Sequence, residues 1–237
     1  MALVTGGARR IGRAIVEDLA HHGWAVAIHH NASHGDAVAL AAEIRAAGGR
    51  ATAVAADLAD LDCVARIVDA ATSALGPLTL LVNNASIFEK DAVGSLDRAL
   101  WQRQMTVNLA TPVFLAEAFA RQLPGGAEGN VVNLLDQRIF HPTPAYFSYQ
   151  IAKSALAVAT VTLAQTLAPG VRVNGIAPGP VLASARQTAD GFASQIEAIP
   201  LKRPPDLGDF GRTIRYIVEN RSITGQIIAL DGGQHLL

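Results

Sequence analysis

The chain has 237 residues, of which 50% are hydrophobic and 16% charged, enough apolar side chains for a sizeable core and too few charges for a disordered chain. Acids and bases nearly cancel to a formal net charge of -1 with no long block of one sign, which argues against a nucleic-acid or membrane surface as partner. A lone cysteine, Cys63, excludes an internal disulfide and reads as a small buried hydrophobe within Asp62-Cys63-Val64-Ala65, in keeping with a reducing cytoplasm. In chain order, an apolar run at 2–5 reads as a strand and is followed by helical spacing at 11–21. Strand 24–29 then leads to helix 37–47, strand 51–55 to helix 61–75, and strand 78–82 to a long helix over 97–122. Strand 130–135 leads to helix 146–168, strand 171–176 to an irregular segment and helix 206–219, and a last strand is expected at 226–230. The opening residues carry no basic segment before a long apolar one, and no stretch reaches the ~18 uninterrupted apolar residues of a membrane span, so neither export nor insertion is expected.

Strands that alternate with helices call for parallel pairing through crossovers, so the expected fold is α/β: a single doubly wound, Rossmann-type parallel sheet of about seven strands with helices on both faces. No linker divides the chain, and one domain over 1–237 is expected, with a substrate lid at about 179–205 beyond the carboxyl end of a strand.

The first strand runs straight into Thr5-Gly6-Gly7-Ala8-Arg9-Arg10-Ile11-Gly12 and then into a helix. Glycines there allow the backbone to approach a pyrophosphate, and the helix amino end offers free N–H groups and a positive dipole end. A glycine-rich turn alone is weak evidence, but its place between first strand and first helix favours a dinucleotide site. Arg10 stands where a middle glycine is usual, and its guanidinium can reach a phosphate. The second strand ends His29-His30-Asn31-Ala32-Ser33, without the acid that would bind a ribose 2′-hydroxyl, so NADPH is favoured over NADH with Arg10, Asn31 and Ser33 as contacts. The histidine pairs 21–22 and 29–30 point in diverging directions without accompanying carboxylates, so no metal is expected, and the histidines are read as surface or cofactor-rim groups. After the third strand, Asp57-Leu58 offers a carboxylate that either caps a helix or accepts from an adenine amino group.

Tyr149-Gln150-Ile151-Ala152-Lys153 sets a phenol and an ammonium one turn apart on a helix face. The cation is expected to lower the phenol pKa and so to ease proton exchange. The alternative is a surface pair on an amphipathic helix. Asp136, at the end of the fifth strand, belongs to the same carboxyl edge of the sheet and favours the first reading. Asn108 either bonds backbone or water near the lysine, or is a tolerated polar residue in an apolar helix.

With the turn, Asn83-Asn84-Ala85, Asn108, Tyr149-x-x-x-Lys153 and Pro178-Gly179 in order, the whole chain resembles the short-chain dehydrogenase/reductase family. The resemblance implies that Tyr149 donates a proton, that Lys153 binds the nicotinamide ribose and lowers the tyrosine pKa, and that Asn108 holds a relay water. It implies a cofactor lining of Thr5, Gly6, Ile11, Gly12, Asn84, Ala85, Pro178, Gly179 and Val181, with Asp57 and Leu58 near the adenine. Three departures, Asp136 in place of a serine, Asn84-Ala85-Ser86-Ile87-Phe88, and Arg9-Arg10, are similar to pteridine reductases and dihydromonapterin reductases. That likeness implies that Phe88 stacks a pterin against the nicotinamide, that Ser86 and Arg10 bond the pterin or a phosphate, and that Asp136 assists Tyr149. Phe88 would equally close any apolar pocket, and Ala32 stands where that subgroup usually has an arginine.

Helices over 105–123 and 146–168 are apolar on nearly every face, so a two-fold contact between subunits is expected, and the resemblance implies a homotetramer. Three functions are compared: an NADPH-dependent pterin or dihydrofolate-like reductase, a ketone or oxoacyl reductase, and a non-catalytic NADPH-binding regulator. Retention of both Tyr149 and Lys153 speaks against the last.

Overall fold

A computed structural model of the chain describes residues 1–183 and 187–237. Seven parallel strands form one sheet in the order β3-β2-β1-β4-β5-β6-β7. The strands are β1 (Ala2–Val4), β2 (Val26–His30), β3 (Ala51–Ala55), β4 (Leu80–Asn83), β5 (Gly129–Leu134), β6 (Val171–Pro178) and β7 (Ile227–Leu230). The helices are α1 (Arg10–His21), α2 (His34–Ala46), α3 (Cys63–Leu75), α4 (Arg98–Met105), α5 (Thr111–Gln122), α6 (Phe147–Leu167), α7 (Ala189–Ala198) and α8 (Leu207–Glu219). The expected doubly wound sheet is therefore present.

Side chains alternate across the strands and split the core into two layers. Ala2, Val4, Leu80, Val82 and Val132 face α1, α2 and α8, where Ile15, Leu19, Leu40, Phe210 and Ile214 are buried. Leu3, Leu81, Val131 and Val173 face the opposite layer, with Ile67, Leu115 and Phe119. Cys63 is fully buried in this second layer, as expected.

Three sequence expectations change. The helix read as continuous over 97–122 contains a π-helical turn, Thr106–Ala110, between α4 and α5. The segment read as an irregular lid includes α7, capped by Thr188, whose hydroxyl accepts from Gly191 N–H at 3.1 Å. Residues 184–186 of that segment lie outside the described residues. Of the histidines read as surface or cofactor-rim groups, His21 and His22 are exposed, whereas His30 is buried at 3% exposure; His29, 1% exposed, borders the first cavity from within inner strand β2.

Strand order reverses between β1 and β4, and the loops after β1, β4, β5 and β6 gather at the carboxyl edge there. In an open α/β sheet such a switch point opens a crevice for ligands.

Candidate active site

The glycine-rich turn leaves β1 in a conformation only glycine adopts easily, with Gly6 at φ +60°. Gly12 then packs so closely that an added Cβ would stand 2.1 Å from the Gly6 carbonyl oxygen and 2.6 Å from Asn84 Nδ2. Asn84 ties β4 to this turn, its Nδ2 donating to Thr5 O at 2.9 Å and Gly6 O at 3.1 Å. The buried Thr5 hydroxyl accepts from Asn84 N–H at 2.9 Å and Ala85 N–H at 3.0 Å. Beneath the turn, His29 Nδ1 accepts from Gly6 N–H at 3.1 Å and its Nε2 faces Ala56 O at 3.2 Å, so the proton belongs on Nε2. Burial pushes the His29 imidazole down to about 4.

Between this turn and the ends of β2 and β3 lies a cavity of about 390 Å³, lined by Gly6, Arg10, Ile11, Gly12, Asn31, Asp57, Leu58, Asn84, Ala85 and Ser86 among others. The expected cofactor residues Thr5, Tyr149, Lys153, Pro178, Gly179 and Val181 are not among those that line it. Asp57 Oδ1 accepts from Ala59 N–H at 3.0 Å, an Asx turn, and from Asn31 Nδ2 at 3.3 Å, so the local turn and the cavity wall are built by one carboxylate. Ser33 is not among the lining residues; it precedes α2. Arg10, at φ 53°, sends its guanidinium across the crevice to the carbonyls of Leu182 and Ala183 at 3.3 and 3.2 Å. It thus joins the turn to the segment that follows β6.

A second cavity of about 260 Å³ continues from the first and is lined by Arg10, Ser86, Phe88, Asp136, Tyr149, Lys153, Pro178, Gly179 and Val181 among others. The two residues of the Tyr-x-x-x-Lys pair are both buried here, at 5% and 2% exposure, which excludes the surface-pair reading. The Tyr149 hydroxyl donates to Asp136 Oδ2 at 2.8 Å. Lys153 Nζ donates to Leu134 O at 2.6 Å and lies 5.9 Å from the Tyr149 ring centroid.

The sign of the Tyr149 shift corrects the sequence expectation. Burial first, then the Asp136 charge, hold its phenol well above the ordinary tyrosine value. The lysine does not reverse this, because Nζ is turned to a backbone carbonyl and is itself pushed down to about 8 by burial. Tyr149 therefore keeps its hydroxyl proton, which it directs at Asp136 Oδ2.

Asn108 sits in the π turn, and its side chain is saturated by the loop after β4 together with Gln104 of α4. Its Oδ1 accepts from Ser86 Oγ at 2.9 Å and Ile87 N–H at 3.1 Å, while Nδ2 donates to Ile87 O at 3.0 Å and Gln104 Oε1 at 2.7 Å. This clamp sets the loop that carries Phe88.

Two contributors escaped the sequence reading. Tyr146, left-handed at φ 58°, stacks on Phe88 with centroids 4.1 Å apart and planes at 8°. Arg138 NH1 lies 3.2 Å from Asp136 Oδ2. Their signal was present only as spacing: Tyr146 is one helical turn before Tyr149, and Arg138 two residues after Asp136. Among the described residues, no group of three or more His, Cys, Asp or Glu side chains is placed to hold a metal, and no helix is long and apolar enough to cross a membrane.

Known proteins are similar to this chain. The chain is 56% identical, with a TM-score of 0.98, to FolM alternative dihydrofolate reductase 1 from Brucella canis complexed with NADP, over 100% of this chain and 94% of that one. The Brucella suis counterpart, also in complex with NADP, matches at 56% identity and a TM-score of 0.98, over 100% and 95% of the two chains. A 3-oxoacyl-(acyl-carrier-protein) reductase of Staphylococcus epidermidis is 30% identical over 99% of this chain and 98% of its own length. The short chain dehydrogenase family profile matches residues 1–191. The buried tyrosine and lysine, the glycine turn at the switch point and these likenesses together make the chain a member of the short-chain dehydrogenase family, an oxidoreductase built for a nicotinamide cofactor.

Proposed function

We propose that the protein is an NADPH-dependent reductase of a pterin or dihydrofolate-like ring. The observation that carries this reading is the Phe88 ring set at 77° and 4.7 Å against Tyr149, whose hydroxyl is backed by Asp136. A flat wall beside a carboxylate-backed phenol suits a planar heterocycle whose C=N bond takes hydride at carbon and a proton at nitrogen. The likeness to the two Brucella proteins, named as dihydrofolate reductases, points the same way.

The cavity fits the cofactor. Its glycine cradle tolerates no side chain at Gly12, its helix amino end suits a pyrophosphate, and Asn31 stands where an acid would repel a 2′-phosphate. Thr5 and Asn84 shape the cradle, while Gly6, Ile11, Gly12, Ala85 and Ser86 line the phosphate end and Asp57 and Leu58 the adenine end. Arg10 would exchange its lid carbonyls for a phosphate, a charge-assisted bond of greater strength. Pro178, Gly179 and Val181 border the nicotinamide end. When bound, NADPH supplies the hydride. Tyr149 holds the proton to be delivered, Asp136 orients that hydroxyl by accepting from it, and the Lys153 ammonium remains available to ribose hydroxyls. The same reading places the single domain in the cytoplasm, as a homotetramer through its apolar helix faces, where Phe114 of α5 and Ile151, Val158 and Val161 of α6 are exposed.

Purified protein with NADPH and a 7,8-dihydropterin should consume cofactor, and Tyr149→Phe should lower kcat by about 100-fold or more while NADPH still binds. Equal or faster turnover of small ketones or 3-oxoacyl thioesters, with none of the dihydropterin, would favour the carbonyl-reductase alternative instead.

A further inference from the structure

Asp136 accepts from two donors outside the catalytic pair, both on Arg138. Arg138 N–H donates to its Oδ1 at 2.9 Å, capping the 3-10 turn Gln137–Ile139, and Arg138 NH1 approaches Oδ1 at 3.4 Å and Oδ2 at 3.2 Å. Oδ2 is the same atom that accepts the Tyr149 hydroxyl. Both side chains of the ion pair are largely covered, at 24% exposure for Arg138 and 14% for Asp136. The guanidinium carbon also lies 5.2 Å from the Phe88 ring centroid and 5.5 Å from that of Tyr146. One residue thus touches the proton-donor pair and the aromatic wall together.

Among the described residues, the two other cations that line the second cavity are engaged elsewhere. Lys153 gives its short hydrogen bond to Leu134 O. Arg10, which lines the same cavity, reaches the Leu182 and Ala183 carbonyls. A covered carboxylate without a contact cation would turn toward solvent. Nearly equidistant from two stacked rings, the guanidinium lies beside their shared edge, where its contact with them is one of packing.

We infer that Arg138 is a positioning residue: it holds Asp136 at the Tyr149 hydroxyl and locks that pair to the Phe88–Tyr146 wall, so that ring stacking and proton delivery share one fixed geometry. This inference rests on the reductase reading above for its kinetic consequence, but not for its structural one. Consistently, the Arg138 charge opposes the Asp136 charge at the Tyr149 phenol.

The test combines Arg138→Met, which removes the charge and keeps an apolar stem, with Arg138→Lys, which keeps the charge without the fork. With dihydropterin and NADPH, Arg138→Met should lower kcat about 10- to 100-fold with the KM for NADPH unchanged, and Arg138→Lys should recover part of the loss. In an Asp136→Asn background, Arg138→Met should cost little more. An equal further loss there would mean that Arg138 only packs, and would overturn the inference. The crystal structure of Arg138→Met should show the Asp136 carboxylate withdrawn from the Tyr149 hydroxyl; a carboxylate still within bonding distance overturns the inference whatever the substrate. Absence of dihydropterin turnover in the unsubstituted protein would instead defeat the proposed substrate and leave this structural readout standing.

Discussion

Acid should lower the stability of the fold, and buried His29 is one reason. Its ring is 1% exposed, accepts from Gly6 N–H through Nδ1 and pairs with Ala56 O through Nε2. Protonating Nδ1 would set N–H against N–H and break the anchor of the turn. Burial lowers the imidazole from 6.5 to about 4. A base depressed in the fold is protonated first in the unfolded chain, so stability falls as pH drops through about 6.5, and the loss is complete only below about 4. The full loss is on the order of 3 kcal/mol, and at about pH 5 some 2 kcal/mol has gone. Urea unfolding at neutral pH and at about pH 5 measures it directly. His29→Asn, which keeps an acceptor for Gly6 N–H but cannot titrate, should be less stable at neutral pH and lose about 2 kcal/mol less on acidification. If its acid loss matches that of the unsubstituted protein, the buried neutral histidine is not the cause.

Two further substitutions test the cradle. Gly12→Ala places a Cβ 2.1 Å from Gly6 O; the turn must move, at a cost of about 1–3 kcal/mol, and the Kd for NADPH should rise about tenfold or more in a fluorescence titration. Thr5→Val deletes the acceptor for Asn84 N–H and Ala85 N–H. Stranding those donors should cost about 1–3 kcal/mol and lower the Tm by several degrees in a thermal melt.

Hydrophobic periodicity exposed most of the fold because the parallel sheet is covered on both faces and its strands are short apolar runs between glycine turns. α7 escaped because it buries none of its residues and lies between proline-rich flanks, leaving little apolar stripe to read. The π turn at Thr106–Ala110 escaped because one extra residue in a helix leaves its composition unchanged. Within the site, Tyr149, Lys153 and Asp136 were legible as spacing along strand and helix. The direction of the Tyr149 shift was not, since spacing shows which charges are near but not how deeply the group is buried or where Lys153 Nζ turns. Likewise Phe88 and Tyr146 are 58 residues apart, and their stacking depends on the Asn108 clamp that sets the loop. The expected lining residues Asn31 and Asp57 do meet in the first cavity, whereas Ser33 does not join them.

The central claim is that this cleft holds a planar ring between Phe88 and the nicotinamide, with the Tyr149 hydroxyl at the ring nitrogen to be protonated. A crystal structure of the protein with NADP and a bound pterin tests it. The account predicts the bicyclic ring parallel to Phe88 and within hydrogen-bond reach of Tyr149; a pterin bound elsewhere, or one whose ring is remote from Phe88, would contradict it.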